Sequence, residues 1–76
     1  MKDLVETIAK ALVDAPEMVE VTEEENEKGI LVTLKVAKPD IGKVIGKQGK
    51  VANAIRSVVK AAGIRKGVHV MVDITE

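Results

Sequence analysis

Apolar residues recur along this chain with two different periods, and each change of period marks a predicted element. Helical spacing over residues 4–13 predicts an amphipathic helix that ends before Pro16. Strict alternation over 19–22, and again over 30–36, predicts two short strands. The polar segment between them, Glu23–Gly29, is predicted to be a turn, so that the two strands form an antiparallel hairpin.

Two more helices and one more strand are predicted in the second half of the chain. Pro39 fits the first turn of a short helix that ends where glycines interrupt the pattern at 46–49. Helical spacing then resumes, with an apolar face made of Val51, Ile55, Val58, Val59 and Ala62. Gly63 and Gly67 are expected to bracket a turn before a last strand over 68–74. The order helix–strand–strand–helix–helix–strand predicts an α+β domain, with three helices covering one face of a three-stranded sheet. The long crossover to the last strand permits a parallel pair without requiring one.

Composition narrows the kind of chemistry that the domain can perform. The chain has 76 residues, which is room for one core only, and it contains no Cys, Phe, Tyr or Trp. Disulfides and thiolate metal sites are therefore excluded, and aliphatic side chains alone must form the core. We expect no cofactor, no signal peptide and no membrane span, and a cytoplasmic location.

Charge is distributed unevenly although the net charge is zero. Residues 1–29 contain nine acidic residues and three lysines, whereas residues 30–76 contain nine basic residues and three acidic ones. A half with a net charge of +6 favours an anionic partner, although charged, solvated faces are also common in proteins without one.

The loop Gly46-Lys47-Gln48-Gly49 carries the most specific signal. Two glycines three positions apart allow a sharp turn and a close approach of a ligand to the backbone. The loop also opens the helix that begins near Lys50, where free N–H groups and the positive end of the helix dipole favour a phosphate. Lys47 and Lys50 add positive charge. Such a site suits backbone phosphates rather than one particular base.

Aliphatic residues on either side of this loop offer a floor for bases. The set consists of Ile41, Val44, Ile45, Val51 and Ile55. Proteins usually read RNA sequence from unstacked bases. Because the chain has no aromatic residue, it lacks the stacking platform of an RRM or of a typical OB-fold.

The run Val44-Ile45-Gly46-Lys47-Gln48-Gly49-Lys50 resembles the V-I-G-x-x-G signature of KH domains. The element order is similar to that of type II KH domains, and the whole chain resembles the small, single-KH RNA-binding proteins of bacteria of the KhpA type. The resemblance implies one KH domain over 1–76, in which a helix and strand (1–24) precede a βααβ core (30–76).

The same resemblance implies that the chain binds single-stranded RNA as a post-transcriptional regulator or RNA chaperone. The RNA-binding residues implied by the resemblance are Gly46, Lys47, Gln48, Gly49, Ile41, Val44, Ile45, Val51 and Ile55. Lys50 and Lys43 complete the predicted RNA-binding set. The implied protein partners are a second copy of the chain and a second KH protein of the Jag/KhpB type.

Several alternatives stay open at this point. A protein–protein adaptor with weak RNA binding is one, since Leu31 and Met71 are predicted to lie on the outer sheet face as a possible partner surface. Arg56 and Lys60 are either solvated surface or RNA contacts. An enzyme is not expected, because the single histidine, His69, has no cysteine or second histidine to act with. The segment 42–48 fails as a P-loop, since it is one residue short and lacks the Ser or Thr that binds magnesium.

Overall fold

A computed structural model describes residues 1–76, and its helices and strands follow one another in the predicted order. The helices are α1 (Lys2–Leu12), α2 (Ile41–Ile45) and α3 (Lys50–Lys66). The strands are β1 (Glu20–Asn26), β2 (Gly29–Lys35) and β3 (Val70–Thr75). Short 3-10 turns occupy Pro16–Met18, Lys38–Asp40 and Lys47–Gly49. The α+β class is therefore confirmed. None of the helices combines the length and the apolar character that crossing a membrane requires.

The sheet has the strand order β1-β2-β3, with β2 in the centre. β1 pairs with β2 in the antiparallel sense, and the register places Val21 opposite Leu34. β3 pairs with β2 in the parallel sense, and the register places Val32 opposite Val72. The parallel pair is possible because α2 and α3 together carry the chain back to the end of the sheet at which β2 begins. β1 and β3 are the two edges, and β3 is the edge that follows α3.

One aliphatic core holds the helices against a single face of the sheet. It contains Val5, Ala9, Val13, Val21, Val32, Leu34, Val36, Val44, Ile55, Val59, Val70 and Val72. The other face has no helix over it, and there Leu31 lies opposite Met71 in the register, as the alternation predicted. Burying a Val or Leu side chain contributes about 1.5–3 kcal/mol, so the aliphatic core supplies the main stabilising term.

β1 is longer than predicted, and the proposed turn over Glu23–Gly29 was wrong for most of its length. The backbone of Glu23 pairs with Val32 and that of Glu25 with Ile30, so the strand continues to Asn26. The acidic side chains are compatible with a strand because β1 is an edge whose side chains are almost all exposed. The true turn is short, and the Lys28 N–H donates to Asn26 Oδ1 there at 2.8 Å.

The predicted turn at Gly63 was also wrong, since α3 continues to Lys66 and ends at Gly67 in the left-handed conformation. Gly63 is buried, and a Cβ at this position would lie 2.8 Å from the carbonyl oxygen of Val68 and 2.8 Å from Val70 Cγ2. Gly63 therefore allows α3 to pack closely against the beginning of β3. The strand begins at Val70, so His69 lies just before it and is exposed.

Candidate nucleic-acid interface

Gly46 ends α2 and begins the glycine loop in a conformation that other residues rarely adopt. Its φ is +76° and its ψ is 174°. A Cβ at this position would lie 2.4 Å from Val51 Cγ2, so the first turn of α3 packs directly on the glycine. The glycine is therefore required here both for its backbone angles and for the absence of a side chain. The predicted interruption of the two helices is observed.

Two further residues of the loop, Gln48 and Gly49, have left-handed backbone angles and lead directly into α3. Gln48 has a φ of 57°, and Gly49 has a φ of 76° with a ψ of 12°. No side chain caps the start of α3, and its first turn contains no acidic residue. Successive turns of this kind present backbone N–H groups to an anion, and the start of a helix adds the positive end of its dipole. The loop thus has the backbone geometry of a phosphate site.

The lysines around the loop are not equivalent. Lys47 and Lys50 are exposed and form no ion pair. Lys43, in contrast, donates a hydrogen bond to Asp14 and lies 3.9 Å from Asp40 Oδ1. The hydrogen bond to Asp14, together with the negative charges of Asp14 and Asp40, raises the pKa of the Lys43 ammonium. Its charge is thus already compensated within the protein, unlike those of Lys47 and Lys50.

Asp40 is a structural residue that the sequence interpretation missed. Its side chain is buried, and its carboxylate accepts hydrogen bonds from the N–H groups of Asp14 at 3.3 Å and Ala15 at 3.0 Å. It therefore ties the segment after α1 to the start of α2, which leads to the loop. An aspartate after Pro39 suggests a helix cap, yet Asp40 makes no capping bond to its own helix. The structural role of Asp40 depends on N–H groups that are 26 and 25 positions away in the sequence, so it could not be recognised from the neighbouring residues.

The five aliphatic residues predicted to wall a groove lie in different places. Val44 is fully buried and Ile55 is 4% exposed, so both are core residues, although Ile55 also contributes to the floor of an open hollow beside α1. Ile41 and Ile45 on α2 are partly exposed. Val51 packs beneath Gly46 on the side of α3 that faces α1. Val51 and Ile55 lie one turn apart and line the same hollow beside α1, whereas Val44 is buried, so the structure does not assemble all five into one groove.

The basic flank of α3 faces the free edge of β3. Arg56 and Lys60 lie along this flank and, with Val70, Met71 and Val72, line an open hollow of about 400 Å³. The Arg56 Nε donates a hydrogen bond to the Val72 carbonyl oxygen at 3.2 Å. Arg56 lies six residues after Lys50, which is about 9 Å along the helix axis from the loop. The hollow is therefore separated from the loop along α3, and no loop residue lines it.

The opposite flank of α3 is apolar. With α1 it lines a second open hollow of about 340 Å³, whose lining residues are Ile8, Leu12, Val51, Ala54, Ile55 and Val58. Val58 was predicted to belong to the core face, but it is 49% exposed. The reason is that the buried face of α3 follows Ala52, Ile55, Val59 and Gly63, to which Val58 is adjacent.

Comparisons with known proteins agree with the geometry. A family model described as KhpA/KhpB, KH domain, matches residues 2–74. A protein of Clostridium acetobutylicum named RNA-binding protein KhpA is 55% identical over 74 residues, which cover 97% of this chain and 99% of that protein. The proteins of the same name from Clostridium perfringens and Aquifex aeolicus are 58% and 46% identical, covering 97% and 100% of this chain and 99% and 96% of their own lengths. No solved structure matched the chain. The resemblance drawn from the glycine loop is thus confirmed, and the chain belongs to the KhpA/KhpB family of KH domains.

Proposed function

We propose that this chain binds single-stranded RNA and holds its backbone at the loop Gly46–Gly49. The observation that carries the proposal is the left-handed turn at Gln48 and Gly49, which leads into an α3 start that has neither a capping side chain nor an acidic residue. The family adds support, because the relatives are named RNA-binding proteins. Lys47 and Lys50 supply the charge, since both are exposed and unpaired.

The proposed contact set differs from the one expected from sequence. Phosphates lie against the loop and the start of α3, and bases enter the hollow between α3 and β3. Val44 and Ile55 are left out because they are buried, and Lys43 is left out because Asp14 and Asp40 already compensate its charge. We infer a role as a post-transcriptional regulator or RNA chaperone that acts with a KhpB/Jag-type protein, which the joint KhpA/KhpB family supports. That the chain is not an enzyme stays a prediction.

Salt dependence tests the phosphate contacts. If the loop and the two lysines neutralise about three or four phosphates, the logarithm of the binding constant for an unstructured RNA should fall with the logarithm of salt concentration with a slope of roughly −2 to −3. Fluorescence anisotropy with a labelled oligonucleotide at four or five salt concentrations measures it. A slope near zero would show that phosphates are not held, and the proposed backbone clamp would be abandoned.

The apolar hollow between α1 and α3 supports the second proposed activity, which is assembly into a homodimer. All six residues that line the hollow are hydrophobic. A second copy would bring the same apolar surface to the interface, so a two-fold arrangement buries both without leaving charges unpaired. A dimer would also place two loops on one RNA and increase the apparent affinity by avidity. As a protein–protein adaptor, the chain would use this surface as its main binding site.

Replacing Val58 by Glu should convert the dimer to a monomer. Val58 is at the exposed part of the hollow, and a buried, unpaired carboxylate costs several kcal/mol at an interface. Sedimentation velocity over a concentration series measures the change. Ile64→Glu is the matched control, because Ile64 is 69% exposed on the same helix and outside the hollow. Equal self-association of the wild type and of both variants would place the interface elsewhere.

A further inference from the structure

Lys43 belongs to α2, and the last turn of this helix leads directly into the glycine loop. Its position three residues before Gly46 places it about 4.5 Å along the helix axis from the start of the loop. The Lys43 ammonium donates a hydrogen bond to the carboxylate of Asp14, which lies in the segment after α1. A positive charge beside the proposed phosphate site is therefore occupied by an acidic group of the protein itself.

The Asp14 carboxylate is bound only by Lys43, and the contact is open to solvent. The Asp14 side chain is 82% exposed, and it forms no other ion pair or hydrogen bond. The backbone N–H of Asp14 donates to Asp40 Oδ1, so the position of residue 14 does not depend on its carboxylate. Exposed ion pairs are weak and are screened by salt. An RNA phosphate held at the loop can therefore compete with Asp14 for the ammonium.

Asp40 is the second acidic neighbour of Lys43, and it holds the ammonium less directly. The distance from Lys43 Nζ to Asp40 Oδ1 is 3.9 Å, which is beyond a hydrogen bond. The Asp40 oxygens already accept hydrogen bonds from the N–H groups of Asp14 and Ala15. A lysine ammonium is carried on a flexible four-carbon stem. Without the Asp14 carboxylate, Lys43 loses its hydrogen bond, and its side chain is free to turn toward the loop.

We infer that Asp14 sets the affinity of this chain for RNA by competing with an RNA phosphate for Lys43. The inference rests on the proposed RNA binding at the loop and adds an intramolecular competitor to it. In the free protein Lys43 is bound to Asp14, so it adds no phosphate contact to those of Lys47 and Lys50. Removal of the Asp14 charge makes Lys43 a further phosphate contact. Asp14 thus keeps RNA binding weaker than the lysines around the loop would otherwise make it.

The ion pair has a purely structural alternative, which is to fasten the segment after α1 to α2. That role predicts that Asp14→Asn lowers the stability of the protein and leaves its RNA affinity unchanged. The same segment is already fastened by the two backbone N–H groups that donate to Asp40, and asparagine at position 14 keeps both. Competition for Lys43 predicts the reverse, which is tighter RNA binding at nearly unchanged stability. RNA affinity and stability therefore separate the two roles.

The experiment is a double-mutant cycle of the wild type, Asp14→Asn, Lys43→Gln and the double variant, with anisotropy titrations of a labelled, unstructured RNA. Asp14→Asn should bind about fourfold more tightly than the wild type, as expected for one ammonium about 5 Å from one phosphate in water. Its salt dependence should be steeper by about 0.7 in the log–log slope, because one more phosphate is neutralised. Lys43→Gln should differ from the wild type by less than about twofold, since an exposed, paired charge contributes little. The double variant should bind like Lys43→Gln.

Glu17→Gln is the matched control, since it removes the same charge three residues away at an exposed position that forms no ion pair. It should keep the wild-type affinity, and circular dichroism should show that all the variants are folded. An unchanged affinity in Asp14→Asn would overturn the inference while the proposed RNA binding stands. The inference would also be overturned by a gain that persists in the double variant or appears equally in Glu17→Gln, because the cause would then be general repulsion. Failure of the wild type to bind RNA would overturn both proposals.

Discussion

Lys47→Asp/Gln48→Asp should lower the affinity for unstructured RNA by roughly 30-fold or more and leave the fold intact. The double substitution changes the local charge by three units at the centre of the loop. Each unit charge about 5 Å from a phosphate contributes close to 0.8 kcal/mol even in water, and several phosphates lie within reach of the loop. Every 1.4 kcal/mol is a factor of ten in affinity. Anisotropy titration at low salt measures the loss.

The fold should survive because the loop conformation suits aspartate. Gln48 has a φ of 57°, and aspartate is one of the residues that adopt this left-handed conformation most readily. An acidic residue just before the start of α3 is also favourable to the helix dipole. The control is Lys28→Asp/Thr22→Asp, which makes the same charge change at exposed positions on the acidic edge of the sheet. An equal loss of affinity in both variants would indicate that net charge, rather than the loop, holds the RNA.

Asp40→Ala should destabilise the protein by about 2 kcal/mol. The substitution removes the acceptor for the N–H groups of Asp14 and Ala15, and because these hydrogen bonds are only part-buried, each lost bond should cost about 1 kcal/mol, at the low end of the range for unpaired donors. A domain of this size has a free energy of unfolding of roughly 4–11 kcal/mol, so the loss is a large part of the total. Urea denaturation followed by circular dichroism should show a lower midpoint with an unchanged slope.

Asp14→Ala tests whether the backbone contacts or the ion pair with Lys43 matters more. The Asp14 side chain is 82% exposed, and exposed ion pairs contribute about 0–1 kcal/mol, so this variant should remain close to the wild type. A loss in Asp14→Ala as large as that in Asp40→Ala would show that the Lys43 ion pair, rather than the two backbone N–H groups, connects α1 to α2.

The elements that were predicted well are those in which burial follows a single clear period. Alternation in 30–36 identified β2 because the strand lies at the centre of the sheet and buries Val32 and Leu34 on one face. The acidic segment over Glu23–Asn26 was misjudged because its strand is at the edge, where pairing with β2 does not require apolar side chains. Gly63 was misjudged because its cause is a contact with Val68 and Val70 in β3.

The residues of the candidate site also fall into two groups, those that the local sequence revealed and those that it did not. The glycine loop was visible from local spacing, because φ values near +76° at Gly46 and Gly49 are a local requirement of the backbone. The sequence left open whether Arg56 faces solvent or contacts RNA, since no neighbouring residue shows that its flank of α3 meets the free edge of β3. Lys43 was predicted to contact RNA because its ion-pair partner could not be recognised from the sequence. That partner, Asp14, is 29 positions away. Such contacts are invisible until α1 and α2 have been packed together.

By itself the sequence determined the element order, the aliphatic core and the position of the glycine loop, since periodic burial and glycine backbone angles are properties of neighbouring residues. Tertiary structure alone decided the parallel pairing of β3 with β2, the tie made by Asp40 and the different flanks of α3. It also turned the charge asymmetry along the chain into a spatial one, with the acidic residues on β1 at one edge of the sheet and the basic flank of α3 at the other. These features depend on which distant segments meet, and that is settled by packing the core as a whole.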